Sequence, residues 1–399
     1  MMKKIATSFL IGIFFAVSSL AQTILLSDLA RISLLTNSPW NGEVYAVFGH
    51  TAIRVSDEVN AIDHVFNYGV FDFNSPNFIF RFMRGETDYM VVAYPFDRYL
   101  EEYQARGVAS YEQVLNLAQQ EKQNIWDALC INSLPQNREY RYNFFLDNCS
   151  TRPRDIIEQN INGSINYSPS KIKNQTYRDL IHECVSAYPW LRFGIDLLIG
   201  SDADEIISDY NKMFLPVYLK HAYEGAVTVS DGTKRKMVVE EFLITGDAEE
   251  EKHLEPVDYP FVVGVILLVL TVVISVLSFR KYTLPGKIYD VLLFLLAGIT
   301  GCVIAFLMFF SEHPATNPNW NIVWLNPVQL IIAFLIPVKY FLKAVYYYHF
   351  INFVFLSFFL LLWIFIPQQL DVAFIFFILS LWARSGTNFV QGKRVLKKI

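Results

Sequence analysis

Apolar and polar positions alternate in short runs through the first two thirds of the chain, then give way to long unbroken apolar stretches. Residues 45–55 alternate around apolar positions and residues 62–70 are rich in β-formers. The turn-like Ser56-Asp57-Glu58-Val59-Asn60 between them predicts a hairpin. Residues 91–94 predict another strand, and 97–103 and 112–128 read as helical. Residues 141–145 read as a strand entering Asp147-Asn148-Cys149-Ser150-Thr151-Arg152-Pro153, where Pro153 suits the first turn of a helix running on through Ile156 and Ile157. Further helices are expected around 177–184 and 204–219. The charged stretch 228–260, with an acidic run at 247–251, is expected to be edge and linker.

The last third has a different period. Residues 261–279 and 291–310 are close to the roughly 20 apolar residues that a helix needs to cross a bilayer. Residues 322–338, 350–366 and 370–383 extend the count to five spans, although the fifth contains Asp371. Charge supports that count. Arg280, Lys281 and Lys287, then Lys339 and Lys343, then the tail from Arg384 to Lys398 all fall on one side. The loops 311–321 and 367–369 carry no Lys or Arg and fall on the other, as the positive-inside rule requires. Trp320, Trp324 and the tyrosines at 346–348 sit at span ends, where aromatic belts are expected. At the start, Lys3 and Lys4, an apolar run over 5–20 and small residues before Gln22 predict a cleaved secretory signal. The expected organisation is a signal peptide (1–21), an exported domain and linker (22–258) and a transmembrane domain (259–399).

Charge separates the two larger parts. Residues 22–258 hold 21 Lys+Arg against 35 Asp+Glu, and residues 259–399 hold 10 against 3. An acidic exported block makes nucleic acid an unsuitable partner. No HxH, HExxH or CxxC spacing points to a metal, and no Walker loop or GxGxxG points to a nucleotide, so no cofactor is expected.

Of the four cysteines, Cys302 lies mid-span as a packed small residue. Cys130 and Cys184 lie in helical patterns of an exported domain, either as a disulfide or as a free buried pair; pairing is the expectation taken forward. Cys149 differs. It stands at a strand-to-helix junction near Arg152 and Arg154, and a helix start and nearby cations both favour thiolate. The alternative is a structural cysteine beside a capping run. A cysteine nucleophile needs a base. His50, on the first hairpin strand, is the candidate, with Asp63, His64 or Asn67 of the return strand to orient it.

The order of these residues resembles the circularly permuted papain-like thiol enzymes of the NlpC/P60 and lecithin:retinol acyltransferase kind. Three stretches narrow the likeness: Gly49-His50-Thr51-Ala52-Ile53-Arg54-Val55, Phe66-Asn67-Tyr68-Gly69-Val70-Phe71-Asp72-Phe73 and Asp147-Asn148-Cys149-Ser150-Thr151-Arg152. Together they resemble the periplasmic domain of the Lnb-type lipoprotein N-acyltransferases of Bacteroidota. The helical half, with its outside loop Ser311-Glu312-His313-Pro314 continuing to Trp320, is similar to that family's C-terminal part.

The resemblance implies an α+β exported domain followed by a helical transmembrane bundle in the inner membrane. It implies transfer of a fatty acyl chain from a phospholipid donor to the N-terminal amine of diacylated lipoproteins. Cys149 would be the acyl-accepting nucleophile and His50 its base, with Asp63, His64 or Asn67 as third member. Glu312, His313 and Trp320 are expected to line the way in for substrate. The competing readings are a membrane-anchored cell-wall cysteine peptidase or amidase and a non-catalytic membrane sensor. A fatty acyl thioester on Cys149 separates them from the transferase.

Overall fold

The computed structural model describes residues 24–247, 256–279 and 283–396. The expected signal peptide and most of the acidic run at 247–251 lie outside the described residues. In chain order the first part contains β1 (Arg31–Asn37), β2 (His50–Asp57), β3 (Ile62–Val70), α1 (Phe78–Met83), β4 (Asp88–Pro95), α2 (Phe96–Arg106), β5 (Ser110–Leu115), α3 (Gln119–Asn132), β6 (Glu139–Arg141) and α4 (Thr151–Asn160). It continues with β7 (Ser164–Asn166), α5 (Tyr177–Val185), α6 (Pro189–Leu198), α7 (Asp209–Lys212), α8 (Pro216–Glu224), β8 (Val227–Ser230), β9 (Thr233–Lys236) and β10 (Val238–Thr245). The helical part holds α9 (Tyr259–Phe279), α10 (Thr283–Phe310), α11 (Val328–Leu335), α12 (Leu342–Leu361) and α13 (Phe374–Leu396).

Seven antiparallel strands form the main sheet in the order β10-β5-β1-β2-β3-β4-β6. Both faces are covered. Ile32, Leu34, Ile53, Val55 and Phe66 pack on one side with Trp126 of α3, Ile157 of α4 and Leu219 of α8. Leu35, Ala52 and Val65 pack on the other with Phe96, Tyr99 and Tyr103 of α2. The expected hairpin is β2–β3, with Asp57 paired to Ile62 across the turn.

Several expectations shift. Residues 44–48 are a 3-10 turn, so the strand begins at His50. Residues 110–115 are a strand rather than the start of a helix, because Glu112 and Gln113 are buried in the sheet, where Arg54 pairs with Glu112. The strand expected at 141–145 lies at 139–141, and 204–219 breaks into α7 and the start of α8. The charged stretch after 228 supplies the edge strand β10. Cys130 and Cys184 are both free thiols. They do not pair because they pack in separate clusters, Cys130 under the main sheet and Cys184 beside Phe214 and Leu215.

In the helical part, α9, α10 and α12 are long and apolar enough to cross a membrane. α13 packs against α9 and α12, and α10 against α11. Its mid-helix Arg384 makes a two-pronged ion pair with Asp290 of α10 at 2.6 and 2.9 Å, both residues being buried. The third expected span, 322–338, is not a continuous helix. A 3-10 turn (Trp320–Val323) and the short α11 replace it. Irregular backbone within an apolar bundle survives only where protein covers it. Gly298 and Gly301 of α10 let that segment approach so closely that a Cβ on either would strike Leu330 or Asn326 backbone. The Gln329 side chain donates to the Trp324 carbonyl, satisfying part of the broken ladder.

The two parts are locked by α6, which the sequence pattern did not reveal. Phe193 of α6 packs edge-on against Phe374 and beside Phe377 of α13. Asn319 donates to the Leu197 carbonyl and Gln368 to the Ile199 carbonyl. Behind them, the fully buried Arg178 of α5 binds Asp204 at 2.6 Å, Asp196 at 2.7 Å and the Gly200 carbonyl at 2.9 Å. Removing one partner of a buried pair typically costs about 3–5 kcal/mol because the other charge is stranded. Arg178→Met is therefore expected to lower the free energy of unfolding in detergent by that order and the midpoint with it, with Arg178→Lys falling between. An unchanged midpoint would show that Arg178 does not clamp the junction.

Candidate active site

The site grows from the hairpin register. Ile53 pairs with Phe66, and continuing that register by three residues puts Gly69 opposite His50 and Asn67 on its diagonal. His50 Nε2 bonds Asn67 Oδ1 at 2.5 Å. Asn67 Nδ2 donates to the Tyr94 hydroxyl at 3.1 Å, which fixes the amide with its oxygen toward the histidine. With Nε2 committed to Asn67, Nδ1 is the ring nitrogen left for the Cys149 thiol, which lines the same cavity.

Cys149 is held by its neighbours in the turn before α4. Asn148 Oδ1 accepts from the backbone N–H groups of Ser150 and Thr151 at 2.7 and 3.0 Å. Its Nδ2 donates to the carbonyls of Phe144 and Phe214. The buried Asn148 thus ties the helix start to two other segments. Gly69 has φ +91°, a region that suits glycine, and a Cβ there would lie 3.4 Å from the Cys149 Cβ.

Burial, the strongest influence on both members of the pair, disfavours their charged forms. For His50 it is outweighed by the Cys149 charge and by hydrogen bonds to Cys149 and Asn67, so its pKa lies above the ordinary 6.5. For Cys149 it is outweighed by the His50 charge and hydrogen bond, the Thr51 N–H and the Ser150 side chain, so its pKa lies below 9.0. Both shifts run in the direction that favours thiolate and imidazolium. By contrast, burial pushes the Cys130 thiol up to about 11 and Cys184 up to about 12. The arginines expected to activate Cys149 are engaged elsewhere: Arg152 grips Asp147, and Arg154 pairs with Asp155.

Cys149, His50 and Asn67 open on a cavity of about 270 Å³. Part of its wall is polar, from Asn37, Ser38, Glu102 and Arg106, and part is aromatic, from Tyr45, Phe71, Phe73, Tyr89 and Tyr142. No cluster of His, Cys, Asp or Glu that could hold a metal ion occurs among the described residues.

Other expected site residues lie elsewhere. His64 is three positions from Asn67, an odd separation along a strand, so it faces the opposite side of the sheet. Its Nδ1 is buried without a hydrogen-bond partner among the described residues. Asp63 is taken by Arg54 at 2.8 Å. Glu312, His313 and Trp320 do not line the cavity. The Glu312 N–H donates to the Arg84 carbonyl, its carboxylate meets Arg141 at 3.2 Å, and His313 Nε2 bonds the Phe82 carbonyl at 2.6 Å. The Trp320 N–H donates to Gln368.

Residues 20–183 match the Lnb N-terminal periplasmic domain, and residues 250–395 match the Lnb transmembrane domain. The chain belongs to the Lnb family. No curated protein and no solved structure matches it. His50, Asn67 and Cys149 all fall in the part matching the Lnb periplasmic domain, and the loop that carries Glu312 and His313 falls in the part matching the Lnb transmembrane domain.

The sequence reading did not anticipate Tyr94, Thr51 or Ser150 at this Lnb-family site. Tyr94 carried a signal only through its strand, whose alternation aims it at the same face as Asn67. Asn67 is a positioning residue, and its loss has a defined sign. Without its acceptor the imidazolium is less stable, so the His50 pKa falls and the Cys149 pKa rises. Asn67→Ala is expected to move the acid limb of Cys149 alkylation by iodoacetamide to higher pH, with Asn67→Asp restoring it. Coincident wild-type and Asn67→Ala profiles would remove Asn67 from this role.

Proposed function

We propose that this Lnb-family protein is a lipoprotein N-acyltransferase of the inner membrane that carries the acyl group as a thioester on Cys149. The observation behind this reading is Cys149, His50 and Asn67 opening together on a partly polar, partly aromatic cavity in a domain clamped to membrane-crossing helices. A water-soluble substrate gives no reason for that clamp. Substrates anchored in lipid do, since fixing thiol and ester at one level removes much of the entropic barrier, by up to roughly 7–11 kcal/mol in ideal cases.

In the first step the Cys149 thiolate attacks the carbonyl carbon of a phospholipid acyl ester. The C–S bond forms, the C–O bond breaks, and the His50 imidazolium protonates the departing lysophospholipid alkoxide. The Cys149 N–H at the start of α4 is available to the developing oxyanion. In the second step the neutral α-amine of a diacylglyceryl-cysteine attacks the thioester. The amide forms, the C–S bond breaks, and neutral His50 accepts the surplus amine proton, which restores the ion pair.

The chain order of His50 strand, Asn67 strand and Cys149 helix supports a circularly permuted papain-like domain. The one-sided Lys and Arg placement supports five crossings, with the segment from Trp320 to Leu335 as a broken third one and the C-terminus in the cytoplasm. In intact cells a cysteine engineered near Asp247 should react with an impermeant reagent and one near Ile399 should not. Mass spectrometry of lipoprotein N-termini, with and without the gene, tests the function. Loss of the third acyl chain supports it. Unchanged lipoproteins with altered cell-wall peptides would favour the peptidase reading instead.

A further inference from the structure

The segment between β3 and β4 exposes more large apolar side chains than its length warrants. Phe73 is 65% exposed, Ile79 75%, Phe80 55% and Phe82 47%, and α1 buries none of its residues. A contiguous apolar surface of this kind marks an interaction site. Its cations are neutralised, Arg81 by Asp88 and Arg84 by Glu86.

Its position identifies the partner. The Phe80 ring lies 6.4 Å from that of Phe306 in α10. Phe306 is four residues before the end of that membrane-crossing helix, about 6 Å along its axis at 1.5 Å per residue. Phe309 and Phe310 beside it are each 66% exposed, so α1 continues the apolar belt of α10. The Glu312 and His313 contacts with Arg84 and Phe82 hold α1 at this depth. Gly85, at φ +69°, lets the backbones meet: a Cβ there would lie 2.8 Å from the His313 nitrogen.

The same segment reaches the thiol. Phe71 and Phe73 line the cavity that holds Cys149. Phe78 packs on Phe73 at 5.1 Å and on Phe71 at 5.9 Å, and Phe82 stacks on Phe78 at 6.0 Å. Phe82 also meets His313, just past the end of α10, at 5.8 Å, so aromatic rings run from that loop through Phe82, Phe78 and Phe73 to the cavity.

We propose that residues 71–85 form a lip seated in the outer leaflet, which leads one acyl chain of a phospholipid along Phe78, Phe73 and Phe71 to Cys149. This rests on the reading of Cys149 as the acyl acceptor. The lip explains how a chain reaches a thiol held above the bilayer without passing through water.

The test uses the full-length protein in vesicles of phosphatidylethanolamine and phosphatidylglycerol. First, Phe80→Trp is compared with wild type in lipids brominated on their chains. Extra quenched emission over wild type is expected, and unquenched emission from the introduced indole would overturn the seating in lipid. Second, acylation of Cys149 from labelled phospholipid is followed by intact mass for Ile79→Asp and Phe80→Asp, with Phe80→Ser as a milder variant. Acylation is expected to slow by about tenfold to a hundredfold, the range a mispositioned substrate loses, while iodoacetamide alkylation of Cys149 keeps its wild-type rate. Equal acylation in all variants would overturn the lip while leaving the acyltransferase reading intact. A wild-type protein that takes no acyl group from phospholipid would overturn the acyl path together with that reading, even if the Phe80→Trp emission is quenched.

Discussion

The Cys149→Ala protein is expected to fold, to enter the membrane and to leave its lipoproteins without a third acyl chain. Cys149 is the thiol whose surroundings favour thiolate: His50 and the Thr51 N–H overcome burial there, whereas burial raises the Cys130 and Cys184 thiols. Its side chain carries little of the local fold, because Asn148 and Ser150 hold the turn through backbone and hydroxyl bonds. Stability should therefore change little while turnover falls to background. Cys149→Ser should behave almost alike, since a hydroxyl stays protonated where this thiol ionises and is a far weaker nucleophile. The measurement is intact mass after incubation with labelled phospholipid, followed by hydroxylamine, which releases thioesters. A label that persists in Cys149→Ala, or normal lipoprotein acylation by that variant, would put the chemistry on another residue.

Alanine at position 50 is expected to slow thioester formation by about 10²–10⁴, the usual cost of a lost general acid–base. The pH dependence carries the sharper signature. In the wild type the acid limb reports protonation of a thiolate whose pKa is below 9.0, and the alkaline limb reports loss of the proton from an imidazolium whose pKa is above 6.5. Both limbs belong to the pair rather than to either residue. Without His50, burial dominates and the thiol pKa rises, so the acid limb moves to higher pH and the alkaline limb disappears. Raising the pH should then recover part of the rate, and added imidazole should recover more. A His50→Ala variant with the wild-type profile would remove His50 from proton transfer. If the profile shifts but thioester still accumulates, the second step is the one that most needs the base.

Local pattern was enough for the long helices, the β2–β3 hairpin and the Cys149 helix start, because each is written in contiguous residues: unbroken apolar runs, a polar turn between β-formers, and Pro153 in a first turn. It was also enough to bring His50 and Cys149 into one hypothesis, since few side chains can supply a nucleophile and its base. It did not reveal β1, because Ile32, Leu34 and Leu35 are buried on both faces and the strand does not alternate. Nor did it reveal α6, whose Phe193 finds its packing partners in α13, far along the chain. The third member of the site depended on strand parity: Asn67 and His64 differ by an odd step, and only the register puts Asn67 beside His50. The loop at Glu312 and His313 read as a substrate contact, yet tertiary packing spends both residues on anchoring α1. Residue type and spacing therefore carried the candidate pair of Cys149 and His50 and the long apolar helices. Which polar group faces which, and how the thiol domain is seated on the helices, are long-range pairings that only the folded chain decides.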